Sequence, residues 1–114
     1  AFVFRAHFGG ADLSRASLRR ALACEASFVG AKLEKVDLRR ANLYGASFEQ
    51  AQMGRAEFED AELVNAQLTQ AVDLSSLGLA KARTLHGAQL AAQVQQGVAR
   101  VNPALFDRPQ QEDG

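Results

Sequence analysis

The chain has 114 residues, with thirteen basic and thirteen acidic side chains and a formal net charge of zero. A chain of that length holds one small core, and its charge balance argues against a general nucleic-acid binder and against an acidic mimic of DNA. It contains no run of eighteen apolar residues to span a membrane and no basic-then-apolar leader, while the lone Cys24 excludes an internal disulfide framework and suits a reducing, cytoplasmic setting.

From Ala1 to Ala71 an alanine stands at every fifth position, with Val36 as the exception. Two residues after each comes a second apolar series: Val3, Phe8, Leu13, Leu18, Ala23, Phe28, Leu33, Leu38, Leu43, Phe48, Met53, Phe58, Leu63 and Leu68. A period of five is neither the 3.6 of a helix nor the 2 of a strand. It means one bend repeated every five residues, which is the signature of a solenoid. A narrow square coil explains the chemistry of the pattern. Four walls meet around little volume, so one inward residue per wall must be small and the other large. If four units close a coil, residues twenty apart stack in columns: Phe8-Phe28-Phe48-Leu68, Leu13-Leu33-Met53, Leu18-Leu38-Phe58 and Val3-Ala23-Leu43-Leu63. Phenylalanine at one phase in three successive coils favours the period of twenty.

Blocks such as Ala11-Asp12-Leu13-Ser14-Arg15 and Ala41-Asn42-Leu43-Tyr44-Gly45 resemble the A-(D/N)-L-x-x unit of bacterial pentapeptide repeat proteins, over about residues 1–70 in fourteen units. The resemblance implies an all-β solenoid, a right-handed quadrilateral β-helix of about three and a half coils, with a short helical C-terminal cap. Two features depart from the family pattern. Only Asp12, Asp37 and Asn42 carry the favoured acid or amide, and Ala21-Leu22-Ala23-Cys24-Glu25 puts alanine at the centre, which predicts an underfilled layer or a local distortion. Gly9-Gly10, Gly30, Gly45 and Gly54 fall where corners ask for permissive backbone.

The repeat domain thus covers 1–71 and a cap covers 72–106. One added residue after Ala71 shifts the apolar series to Leu74 and Leu79, then Leu85 and Leu90. Residues 72–88 are open to two readings, another rephased coil or a short helical turn from about Ser76 to Ala82 capped by Ser75 or Ser76. Leu74 to Leu90 resembles the capping segment of many such arrays, which favours the turn. Leu90, Val94, Val98 and Val101 recur at helical spacing, giving a helix over about 91–102 that Pro103 ends. Leu105 and Phe106 should fold back onto the core, and the polar tail 107–114 should be disordered.

No set of residues calls for catalysis, a cofactor or a metal. His7 takes an outward slot and His86 lies in the cap, far apart in sequence; Cys24 sits outward beside Glu25, with no cation to favour a thiolate. The outward slots carry what functional signal there is. Phe4, Cys24, Tyr44 and Val64 stand twenty apart, flanked by Phe2 and Leu22, which makes an apolar stripe on one wall. Either another part of the chain covers it, or a partner does, a second copy included. Arg15, Lys35 and Arg55 stack at one corner, with Arg19-Arg39 and Arg20-Arg40 on the next wall above Glu59 and Asp60. This patch is either a solvated, charge-laced surface offset by Glu34, Asp37 and Glu57, or a site for an anionic partner.

Three functions are open: a non-catalytic protein-interaction scaffold, which the residues favour; the gyrase-binding, DNA-mimicking role that the resemblance offers; and a tail module of a larger bacterial effector or adaptor. Mimicry needs carboxylates where this chain has arginines. Ala1 begins in phase inside a repeat, which suggests an excised piece. An uncapped first coil at Ala1–Arg5 could also pair with a second copy.

Overall fold

A computed structural model describes residues 6–107. Parallel β-bridges link residues twenty apart along four walls: His7, Ser27, Ser47 and Gln67 on wall 1; Asp12, Lys32, Gln52 and Val72 on wall 2; Ser17, Asp37 and Glu57 on wall 3; and Leu22, Asn42 and Glu62 on wall 4. Four five-residue walls therefore close each twenty-residue coil.

The backbone explains the repeat. In each unit the outward residue's N–H donates to the coil below and the central residue's N–H to the coil above, as in Ser27 N to Ala6 O and Phe28 N to Ser47 O, both 2.8 Å. The following alanine closes the corner by donating back three residues, as Ala26 N does to Ala23 O at 3.1 Å. Such a corner needs positive φ at its third position. Glycine supplies it at Gly10, Gly30 and Gly45, whereas Gly9 and Gly54 stand one residue earlier without positive φ. Asp60, Asn65 and Asp73 tolerate it, but other corners use residues that avoid this region, among them Arg20, Glu25, Lys35, Arg40 and Arg55, at φ +58 to +61. Each costs about 1–2 kcal/mol, which the ladder bonds on both sides of the corner must offset.

One N–H per unit, that of the residue just after the centre, is left out of the ladder. Its partner explains the acid or amide in the repeat. Ser14 N donates to Asp12 Oδ1, Arg39 N to Asp37 Oδ1 and Tyr44 N to Asn42 Oδ1, at 3.1–3.2 Å. In the cap, His86 N donates to Thr84 Oγ1 in the same way, at 3.2 Å.

Inside, the small and large columns are sealed. Phe28, Phe48, Leu33, Leu38, Leu43 and Leu63 are fully buried with the alanines between them, and Val36 fits an alanine slot without exposure. The phenylalanine column is a true stack: Phe8 to Phe28 is 5.2 Å between ring centroids at 11°, and Phe28 to Phe48 is 5.0 Å at 2°. The unit 21–25 is not distorted. Leu22 bridges Asn42 and Ala23 N reaches Asn42 O at 2.9 Å, because the ladder bonds fix the register whatever the central side chain. Ala23 is buried and Leu22 is left outside.

The C-terminal cap joins both readings of 72–88. Helix α1, Ser76–Leu79, takes the place of a strand over wall 3, and Ser75 Oγ accepts from Gly78 N at 3.1 Å as its N-cap. Asp60 N then donates to Lys81 O, and the coil resumes two residues late: Thr84 bridges Glu62, and strand β2, Gln89–Leu90, pairs in parallel with β1, Gln67–Leu68. Helix α2, Ala92–Val101, crosses α1 where Gly97 meets Ser76 and buries Val98. Val101 does not join that buried face and is 56% exposed. The chain turns at Asn102, and the 3-10 helix Pro103–Phe106 brings Leu105 inward instead. Leu105 O accepts from Leu85 N at 2.7 Å, so this segment extends wall 4 by one more rung. The tail 108–114 lies outside the described residues.

Candidate functional site

Of the apolar stripe, Phe2 and Phe4 lie outside the described residues. The rest lies on wall 4. Leu22 is 48% and Tyr44 45% exposed, while Cys24 and Val64 are half-buried. Cys24, Tyr44 and Val64 fall at the same corner slot of successive coils, about 4.8 Å apart along the axis. The neighbouring outward column is not apolar throughout, since Asn42, Glu62 and Thr84 follow Leu22 there. Asn65 Nδ2 lies 3.5 Å from the Tyr44 hydroxyl, which places a polar rim beside the stripe. The cap continues wall 4 above Glu62, and Tyr44 stays 45% exposed.

Beside the stripe an open groove is lined by Leu22, Arg40, Asn42, Asp60, Glu62 and Arg83. Arg40 Nε approaches Asp60 and Arg83 Nε approaches Glu62, both at 4.0 Å. Arg83 was hidden from the period of twenty. The two residues that α1 inserts move it out of register before the fold sets it beside Glu62.

The basic residues lie in two places, as their spacing predicts. Arg15, Lys35 and Arg55 share the corner between walls 2 and 3, where Lys35 and Arg55 line a second groove with Glu34, Gly54 and Asp73. Arg19, Arg20, Arg39 and Arg40 lie past the centre of wall 3. Arg39 is not a free cation: its Nε and Nη2 each donate to Asp37 at 2.9 Å, and Glu57 lies 3.6 Å from Nε. That bidentate bond is the main cause holding the Asp37 carboxyl below its usual range, and it raises the Arg39 guanidinium in turn. Asp12 is also lowered, chiefly by the Ser14 N–H.

The Asp37 shift has a definite sign. A depressed carboxyl contributes stability above its unfolded value near 4 and loses it as pH falls through the lower folded value. Asp37→Asn should therefore melt slightly below the parent at pH 7, the difference shrinking below pH 4. Thermal melts across that range check it; an undiminished difference at the acid end would assign the effect to packing.

His7 is exposed on wall 1. His86 is half-buried, with Nδ1 3.3 Å from Phe106 O. A carbonyl only accepts, so Nδ1 carries the proton and the ring ties the 3-10 helix to the coil. Among the described residues, no three His, Cys, Asp or Glu side chains group to hold a metal ion, and no helix is long and apolar enough to cross a membrane.

Coils of four pentapeptide walls around an alanine-and-leucine core define a repeat solenoid whose outer slots are free to vary. The sequence profile of pentapeptide repeats matches residues 4–40 and 37–72, in eight copies, and the chain belongs to that family. A pentapeptide repeat protein from the Arabidopsis thaliana thylakoid lumen superposes with a TM-score of 0.72 at 24% identity, over 88% of this chain and 68% of that one. Another from the cyanobacterium Cyanothece 51142 gives 0.58 at 31% identity, over 76% of this chain and 54% of that one. These neighbours imply the right-handed quadrilateral β-helix. A plasmid-mediated fluoroquinolone resistance protein reaches only 0.49 at 16% identity, over 88% of this chain and 45% of that one, too loose a likeness to argue from. No curated protein matches the chain.

Proposed function

We propose that this chain is a non-catalytic interaction scaffold that presents wall 4 to a protein partner. The observation that carries this reading is the run of Leu22, Cys24, Tyr44 and Val64 on one wall, with two large side chains nearly half exposed. Tyrosine at the centre of a small apolar patch with a polar rim is the composition of an interface anchor. The filled core supports a role without catalysis, since the grooves are open and lined by paired charges. A half-buried single thiol suits a reducing, cytoplasmic setting. The DNA-mimic role fits less well, because zero net charge and outward arginines oppose it.

Affinity capture from a lysate of the source organism tests the proposal, comparing the parent with a Tyr44→Glu, Val64→Glu double variant. Both changes fall in outward slots, so circular dichroism should be unaltered. A protein held by the parent and lost by the variant supports wall 4 as the interface. Identical captures would discard it and leave the chain a structural module of a larger protein.

A further inference from the structure

The lower two coils of wall 3 gather positive charge that the rest of the chain balances. With their corners they carry Arg15, Arg19, Arg20, Lys35, Arg39 and Arg40, six cations against the single carboxylate of Asp37, in a chain whose net charge is zero. One coil higher the balance reverses, with Arg55 against Glu57, Glu59 and Asp60. Those acids serve the second coil. Glu57 lies 3.6 Å from Arg39, which Asp37 already holds, and Asp60 lies 4.0 Å from Arg40. Arg15, Arg19, Arg20 and Lys35 are exposed, and among the described residues no ion pair within 4.0 Å engages any of them. Glu34 shares the corner groove with Lys35 but makes no such pair.

The corners carry a second, independent observation. On either side of wall 1, glycine takes the left-handed position twice in each column, as Gly10 and Gly30 and as Gly45 and Gly87. On either side of wall 3 that position holds Arg15, Lys35 and Arg55 in one column, and Arg20 and Arg40 below Asp60 in the other, at φ +57 to +64. The coil closes equally well with glycine at such a corner, and glycine would remove the strain. Strain kept where a relaxed residue would fit clusters at surfaces that bind.

An anion suits these arginines, because each guanidinium presents a fork of donors that matches a carboxylate or a phosphate. The extent of the patch chooses between them. Its two rows lie roughly 5 Å apart and end at the acidic row directly above. A nucleic-acid backbone carries its charge on without a break and would run over Glu57, Glu59 and Asp60. A short run of carboxylates on a protein segment can stop where the patch stops. We propose that the lower half of wall 3 binds an acidic segment of a partner protein, with its carboxylates on Arg15, Arg19, Arg20 and Lys35. This stands apart from wall 4, and either surface can fail without the other. The pairs form in open solvent, so the binding is weak and salt-sensitive.

Fluorescence anisotropy with a labelled hexaglutamate peptide tests it, using the parent, an Arg15→Gly/Arg20→Gly variant and a Lys81→Ser/Arg100→Ser variant. Both variants lose two cations, but only the first loses them from wall 3. Glycine suits the left-handed corners, so the first variant should fold. The parent should bind at low salt and weaken by about tenfold or more in molar salt. The wall 3 variant should bind about threefold or more weaker, and the cap variant should match the parent. A parent that ignores the peptide overturns the proposal, as does a loss of affinity that is absent from the wall 3 variant or equal in both. A labelled oligothymidylate held more tightly than the peptide would also overturn it and assign the patch to nucleic acid. Should circular dichroism show the corner variant unfolded, Arg19→Ser, in an ordinary outward slot, carries the same test.

Discussion

Phe28→Ala should cost about 3–5 kcal/mol, the range for removing a large ring from a sealed core. Phe28 is fully buried between Phe8 and Phe48, with centroids 5.2 and 5.0 Å away. The void cannot collapse easily, because the coils above and below are fixed at the strand spacing by ladder bonds such as Phe28 N to Ser47 O. Both neighbouring rings also lose their stacking partner, beyond the area term. For a domain of this size each kcal/mol moves the melting temperature by roughly 4–8 °C, so a fall of some 12 °C or more is expected. Phe8→Ala should cost less, because Phe8 is only partly buried. Calorimetric melts of both variants check the column. Equal costs would mean that the first coil is as tightly packed as the second, against the burial seen here.

The stack was legible because a column records itself in the sequence: phenylalanine twenty apart is a statement about the coil. The acid or amide at Asp12, Asp37 and Asn42 was legible as a pattern, although its cause, one N–H left out of the ladder, needed the backbone. The left-handed corners were not legible beyond the residues that favour them, such as Gly30, Gly45 and Asn65. Arg40 and Lys35 have no preference for φ near +60, and only the closing of the coil around them forces it. The apolar stripe was readable on wall 4, but its neighbouring column of Asn42 and Glu62 narrows it to one corner. The sequence offered Asp37 and Glu57 as an offset to the basic patch without saying which arginine they meet, and the geometry shows that Asp37 holds Arg39. Past Ala71 the register is lost. A rephased coil and a helical turn were both legible there as alternatives, but not that the structure combines them, so the two-residue shift that sets Arg83 beside Glu62 was hidden. Val101 failed for a related reason. Helical spacing places it on the buried face, but the turn at Asn102 gives that burial to Leu105.

The cap offers the second large effect, and there helix propensity and packing predict opposite signs. Gly97 lies inside α2, where alanine would gain about 1 kcal/mol from propensity alone. A Cβ at that position, however, would stand 2.7 Å from the Ser76 Cβ and closer still to its Oγ. Ser76 opens α1, and its hydroxyl donates to Val94 O at 3.4 Å, so the two helices are joined at this contact. Relief requires α2 to lift from α1, which also loosens Val98 and Leu79, both fully buried. Overpacking of this kind costs about 1–3 kcal/mol, occasionally more, and it should outweigh the propensity gain. Gly97→Ala should therefore destabilise the chain, and Gly97→Val more so. The paired change Gly97→Ala with Ser76→Gly removes the clashing Cβ while keeping the alanine, and should recover much of the loss despite sacrificing the hydroxyl. A double-mutant cycle in denaturant gives the coupling directly. Additive effects would show that Gly97 is placed for some reason other than the close crossing, whereas a coupling of 1 kcal/mol or more, roughly the cost of the overlap, would identify this crossing as what seals the C-terminal end of the solenoid.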